Sequence, residues 1–285
     1  MKTILLLVLT YMLYVVTPLE KEPAAPALCH QEPLAAAHDM AAMAADPAFQ
    51  GLHEQPISFH YQGPGEMITF PTSDGKKASG FFLKSTQPSD KWLLVYQEWW
   101  GLNDHIKQQA LQLHKDLPGV NVLALDMYDG QVATTREDAA KLMQSASADR
   151  LAAITQGGIT FAGKKAKIAS IGWCFGGMLS LQNALAAGDK TVGCVIYYGR
   201  PEEDVAKLKT LKTDVLGIFG SQDQGITPAM VAKFEQNMKA AGKQVTIKMY
   251  DAVHGFANPS NPKHDPAATV DAYTLTLNYL KKKLG

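Results

Sequence analysis

Residues 167–177 read KIASIGWCFGG. A short apolar run, KIASIG (167–172), passes directly into Gly172-Trp173-Cys174-Phe175-Gly176-Gly177. A run this short and this apolar reads as a strand buried on both faces. The G-x-C-x-G-G pattern that follows suits a sharp strand-to-helix turn, where flanking glycines avoid clashes in a strained backbone. Such a turn lifts its central residue, Cys174, above the sheet. The helix that follows points unpaired N–H groups at the sulfur, which favours a thiolate and a developing oxyanion. The N–H of Phe175 is a natural oxyanion donor.

Outward from this stretch, similar runs recur: WLLVY (92–96), NVLAL (121–125), VGCVIYY (192–198), VLGIFG (215–220) and VTIKMY (245–250). Helical patterns separate them near 104–117, 136–160, 177–187, 227–241 and 266–283. The last carries Ala267, Val270, Tyr273, Leu277, Leu280 and Leu284 as one apolar stripe. Ahead of them, EMITF (66–70) and ASGFFLK (78–84) flank the turn signal Ser73-Asp74-Gly75 and read as an antiparallel edge pair. The repeated alternation predicts an α/β fold, a mostly parallel sheet with helices on both faces. Chemistry in such folds sits beyond the carboxyl ends of the strands.

Three other strand ends carry chemistry. VLGIFG ends in Ser221-Gln222-Asp223, and VTIKMY in Asp251-Ala252-Val253-His254-Gly255-Phe256. The order is therefore nucleophile, acid, histidine, as in an α/β-hydrolase triad. A cysteine gains from a base, and the base from a carboxylate that fixes its tautomer. Cys174, His254 and Asp223 supply those roles. WLLVY leads into Gln97-Glu98-Trp99-Trp100-Gly101-Leu102-Asn103. Placed near Cys174, the Glu98 carboxylate would hydrogen-bond or repel a thiolate and so control its charge.

On these residues the chain resembles the dienelactone hydrolase family of α/β-hydrolases. The matching positions are Gln97-Glu98-x-x-Gly101-x-Asn103, Gly172-Trp173-Cys174-Phe175-Gly176-Gly177, Asp223 in its G-x-x-D turn and His254-Gly255-Phe256, with Ala124-Leu125-Asp126-Met127-Tyr128 resembling a fifth. The resemblance implies an α/β-hydrolase fold over roughly residues 65–284 and a carboxymethylenebutenolidase-like esterase activity. It implies a resting, mostly neutral thiol in contact with Glu98, attack on an ester or lactone carbonyl, and an oxyanion held by the N–H groups of Trp99 and Phe175. Two substrate-clamp arginines of the family are replaced here by Gly130 and Asn258. Neither reproduces a bidentate, permanently charged carboxylate contact. Dienelactone itself is therefore not the expected substrate. Trp99, Trp100, Trp173, Tyr128 and Phe256 suggest an aromatic, largely neutral pocket. Arg136, nearby in sequence, reads as a surface residue at a helix start.

Composition narrows the field. Lys+Arg and Asp+Glu balance at 27 each, which argues against nucleic-acid binding. At 285 residues the chain can bury a large core without disulfides or metal. Residues 4–16, ILLLVLTYMLYVV, follow Lys2 and are short for a membrane span. Residues 1–27 are therefore expected to be a signal peptide with an A-x-A-like site at Ala25-Pro26-Ala27, the alternative being an uncleaved anchor. Export to the periplasm or beyond follows, with no stable span after cleavage. Residues 28–64 read as an Ala- and Pro-rich extension or linker with a short helix over 34–45, and residues 65–285 as the hydrolase domain.

Three cysteines are too few for a disulfide framework. Cys194, in an apolar run, reads as a buried unpaired thiol rather than as a partner of Cys29. His30, His38, His53 and His60, with Cys29, fit no metal-ligand spacing and read as part of a solvated linker. No cofactor is expected. The rivals to a thiol hydrolase are a non-catalytic scaffold that binds a small ligand or partner, and a thiol-redox protein using Cys174, which lacks a nearby resolving cysteine.

Overall fold

The computed structural model describes residues 35–285. The apolar run at 4–16, the cleavage signal at 25–27, Cys29, His30 and the side chain of His38 lie outside the described residues. Eight strands form one sheet in the order β1-β2-β4-β3-β5-β6-β7-β8. These are β1 (Glu66–Pro71), β2 (Lys77–Leu83), β3 (Lys91–Tyr96), β4 (Asn121–Leu125), β5 (Lys167–Trp173), β6 (Thr191–Tyr197), β7 (Val215–Gly220) and β8 (Val245–Tyr250). β1 and β2 pair antiparallel, as do β2 and β4; every other pairing is parallel. The sequence pattern anticipated each strand to within a residue or two.

The helices are α1 (Ala35–Ala45), α2 (Pro47–Gly51), α3 (Asp104–Asp116), α4 (Arg136–Ser145), α5 (Ala148–Ala162), α6 (Phe175–Ala186), α7 (Val205–Lys209), α8 (Pro228–Ala240) and α9 (Pro266–Leu284). The single helix expected over 136–160 is two. Ala146 turns extended, and Ser147 starts the second helix by accepting a hydrogen bond from Arg150 N at 3.2 Å. A side chain that offers this bond makes a new start cheaper than continuation. The apolar stripe expected on α9 is also displaced. Ala268, Ala272, Thr276, Leu280 and Leu284 are buried, whereas Val270 is exposed. Small residues let α9 lie close to the sheet, and the Thr276 hydroxyl is satisfied by Tyr197 Oη at 2.7 Å.

Cys194 is a buried free thiol, 3.6 Å from Ser180 Oγ. Among the described residues no helix is long and apolar enough to cross a membrane.

Strands β3, β5, β6 and β7 are almost wholly buried, so their ends are fixed points. α6 is pressed against them. A Cβ on Gly172 would lie 2.0 Å from Gly176 O, and one on Gly176 would lie 2.3 Å from Tyr96 O. Both are backbone clashes that no rotamer relieves. Gly176→Ala should therefore destabilise the protein by about 1–3 kcal/mol or more, read as a lowered melting temperature by circular dichroism; an unchanged melt would refute the close packing.

Candidate active site

Cys174 caps α6 with φ +54° and ψ −115°, a conformation that few side-chain-bearing residues adopt. Its N–H donates to Tyr197 O at 2.9 Å, and its carbonyl accepts from Gly177 N at 2.9 Å. The sulfur is held at the head of a helix whose first N–H, that of Phe175, has no carbonyl a turn earlier to bond. The side chain is 2% exposed.

Asp223 and His254 follow β7 and β8. Asp223 Oδ1 accepts from Gly225 N and Ile226 N at 2.8 and 2.9 Å, which fixes the carboxylate. Its Oδ2 accepts from His254 Nδ1 at 2.6 Å. That bond sets the tautomer, so Nε2 of His254 carries the lone pair in the neutral ring. Burial opposes a charge on His254, but the Asp223 carboxylate and the Cys174 sulfur overcome it and hold the ring well above the ordinary histidine value. Burial pushes the Cys174 thiol up, against the pull of His254.

The third neighbour of the sulfur comes from the segment read as a solvated linker. His53 is 5% exposed, and its Nε2 lies 3.4 Å from Cys174 Sγ. Its Nδ1 is 2.9 Å from Phe49 O. A carbonyl can only accept, so Nδ1 is the protonated nitrogen and Nε2 receives the thiol proton. Cys174 Sγ and one ring nitrogen each of His53 and His254 lie within 4.8 Å of one another. The solvated reading of His53 is thus corrected: Phe49 and His53 wedge between Trp99 and His254. Ring centroids are 4.0 Å apart for His53–Trp99 and 4.9 Å for His53–His254. A lone histidine in a polar stretch gives no local signal of this. Phe49, six residues beyond Met43 in an otherwise Ala- and Pro-rich segment, was the one available hint that the segment packs.

Arg136 is part of the same arrangement rather than a bare surface residue. Its Nε donates to His53 O at 2.5 Å, and its guanidinium pairs with Glu54 at 2.7 Å. Lys263 holds Glu54 from the other side at 2.9 Å. Gln55 Nε2 donates to Thr134 O at 2.7 Å, and Ile57 N to Ser260 O at 2.9 Å.

Glu98 is buried at the end of β3. Its oxygens accept from Tyr198 Oη at 3.2 Å and Asn258 Nδ2 at 2.6 Å. The expected hydrogen bond between Glu98 and the resting thiol is replaced by the one to His53, and Glu98 acts on the sulfur through its charge. Burial raises its carboxyl to about 7, against the opposing pull of His254, Asn258 and Tyr198. Tyr198 went unnoticed in the sequence because it closes an apolar strand like any core tyrosine.

The other expected pocket residues divide. Trp100 and Trp173 line two small cavities beside the site, of about 10 and 20 Å³. Trp99 is fully buried at the end of β3. Tyr128 stacks on Phe175 at 5.5 Å, its hydroxyl buried without a hydrogen-bond partner. Phe256 is core, packed between Tyr198 and Tyr250. Gly130 is exposed, its N–H on Asp126 Oδ2 at 2.6 Å, and it lines neither cavity. Ligand pockets commonly span roughly 300–1,000 Å³. With Leu52–Glu54 in place, these cavities hold about one water molecule each.

The sequence profile of the dienelactone hydrolase family matches residues 79–284. The chain is 27% identical over 237 residues to "Protein usf" of Aquifex pyrophilus, covering 77% of this chain and 99% of that one. It is 34% identical over 116 residues to the carboxymethylenebutenolidase of Pseudomonas sp. strain P51, 40% of this chain and 48% of that one. A crystal structure of a dienelactone hydrolase-like promiscuous phosphotriesterase from metagenomic libraries superimposes with a TM-score of 0.66 at 21% identity, covering 78% of this chain and all of the other. The segment bearing His53 precedes the matched region.

Two outcomes follow. A buried carboxyl raised to about 7 keeps a proton that the unfolded chain releases near 4.5. The stability it contributes is present below 4.5 and lost as the pH rises through 7. Glu98→Gln removes the charge and keeps both partners, its oxygen accepting from Asn258 Nδ2 and its amide donating to Tyr198 Oη, so wild type should lose stability relative to it over that window, by on the order of 3 kcal/mol. Parallel denaturant titrations check this; a pH-independent difference would refute it. Second, Arg136→Ala unfastens Leu52–Glu54 and should speed iodoacetamide labelling of Cys174 about tenfold, read by mass spectrometry; an unchanged rate would contradict the fastening.

Proposed function

The chain belongs to the dienelactone hydrolase family, and we propose that it hydrolyses small neutral esters or lactones through Cys174. The observation that carries this is a thiol on a left-handed turn at the head of α6, beside a histidine whose far nitrogen is bonded to a buried carboxylate at 2.6 Å. A nucleophile, a base and an orienting acid from three strand ends are the requirements of acyl transfer.

Turnover begins when the substrate displaces the Leu52–Glu54 segment and puts its carbonyl where the His53 ring lies. His254 Nε2 takes the proton from Cys174, and the thiolate attacks the carbonyl carbon. The N–H groups of Trp99 and Phe175 receive the oxyanion; each such donor is worth about 3–4 kcal/mol of barrier. Collapse expels the alcohol, protonated by His254. A water, deprotonated by the same ring, then cleaves the thioester and restores the thiol. Glu98, held by Tyr198 and Asn258 with its carboxyl raised to about 7, puts negative charge beside the sulfur once it ionises and then disfavours the thiolate until a substrate arrives.

Preference for neutral substrates rests on Gly130 and Asn258. Gly130 carries no side chain, and the Asn258 amide is committed to Glu98. Glu98 would also repel a substrate carboxylate.

Purified wild type and Cys174→Ala should be compared on p-nitrophenyl acetate and on dienelactone. The reading expects cleavage of the neutral ester that falls by several orders of magnitude in the variant, with kcat/KM for dienelactone at least about tenfold lower. Activity that survives the substitution would exclude the thiol mechanism. Comparable turnover of both substrates would refute the preference.

A further inference from the structure

The three groups around the sulfur are arranged as ligands. His254 gives its Nδ1–H to a carboxylate, and His53 gives its Nδ1–H to a backbone carbonyl. These are the two partners that metal-binding histidines most often have, and each leaves Nε2 with its lone pair free to bind. Nε2 of His254 is fully buried and has no hydrogen-bond partner. With both rings neutral, one thiol hydrogen faces two ring acceptors, so one lone pair is left unpaired.

We infer that Cys174, His53 and His254 form a closed-state site for a thiophilic divalent cation such as Zn²⁺, assembled only while the N-terminal segment covers the nucleophile. Two imidazoles and a thiolate are a ligand set that suits such an ion. Zinc bonds of about 2.0–2.3 Å draw tetrahedral ligands to roughly 3.5 Å from one another. The His53–Cys174 pair already stands at 3.4 Å, and the whole set within 4.8 Å. A cavity of about 10 Å³ borders His53 and His254 and has room for about one water. Charge also fits, since the thiolate would meet the ion directly and Asp223, behind the His254 ring, adds negative charge at one remove.

Binding follows Cys174–SH + Zn²⁺ → Cys174–S–Zn⁺ + H⁺, the proton passing to solvent. No electron moves. The ion ties His53, and with it Leu52–Glu54, to the sulfur. If Cys174 is the hydrolytic nucleophile, as proposed above, the loaded protein is silent. The residue that completes the site precedes the region shared with the family, so the matched domain alone supplies only two of the three ligands.

The test uses full-length, chelator-dialysed protein. Zn²⁺ is titrated against a chromophoric chelator, and Co²⁺ serves as a spectroscopic probe. The expected result is one ion per chain, a thiolate-to-cobalt charge-transfer band, and loss of ester cleavage in step with Zn²⁺ occupancy. Cys174→Ala should abolish the band. His53→Ala should weaken Zn²⁺ binding at least about tenfold, with its melt by circular dichroism checked against wild type. Arg136→Ala removes no ligand atom, since on His53 the arginine meets only the backbone carbonyl, and should weaken binding too, because it depopulates the closed state. Absence of the band, or affinity indifferent to both His53→Ala and Arg136→Ala, would overturn the site. Ester cleavage dependent on Cys174 but untouched by Zn²⁺ would sink this inference and leave the hydrolase reading intact. Absent esterase activity with the band present would do the reverse.

Discussion

The arrangement depends on one backbone conformation, the left-handed φ of Cys174. It costs on the order of 1–3 kcal/mol. The cost is offset by what the turn makes possible, a helix nearly every residue of which is buried against β3 and β6. Gly172 and Gly176 permit that approach, and the Cys174 amide is tied to β6 through Tyr197 O. Once the turn is set, the sulfur has a fixed height above the sheet. Groups leaving β3, β7 and β8 then reach it from fixed directions, because the registers of those strands are set by parallel pairing within one sheet.

What the sequence disclosed follows from which interactions are local. The inner strands were legible because burial on both faces leaves a continuous apolar run; β8, read in the same way, is instead a partly exposed edge strand, as is β1. The positions of Cys174, Asp223 and His254 followed because chemistry in this architecture gathers at strand ends. Ser147 was legible only as a helix residue in a long amphipathic stretch, since a serine cap and an exposed helical serine look alike without geometry. On α9 the larger apolar residues suggested one stripe, while packing selected the smaller ones, which let the helix sit closer to the sheet. His53 was illegible for a different reason. Its burial depends on partners more than 80 residues away, Arg136 and Cys174, and no periodicity connects them.

Asn258 shows how one substitution can alter a site twice. Where the resemblance to the family implies a cationic clamp, this chain has an amide, and that amide donates to Glu98 at 2.6 Å. An arginine there would bring a positive charge to the same carboxylate and hold it ionised. The amide gives a hydrogen bond without the charge, and burial then raises the carboxyl to about 7. The loss of the clamp and the softened acidity of Glu98 are one physical change seen from two sides.

The fastening of the N-terminal segment has the opposite character to the core it covers. Phe49 and His53 are buried, but the Glu54 contacts to Arg136 and Lys263 involve side chains from about one-third to one-half exposed. Pairs of that kind weaken as salt is added, over a screening length of roughly 8–10 Å at moderate ionic strength. Cys174 beneath is too deeply buried for salt to reach directly. Ionic strength outside the protein therefore becomes a control on how often the interior is open, and dilute and saline surroundings would see two differently accessible forms of the same chain.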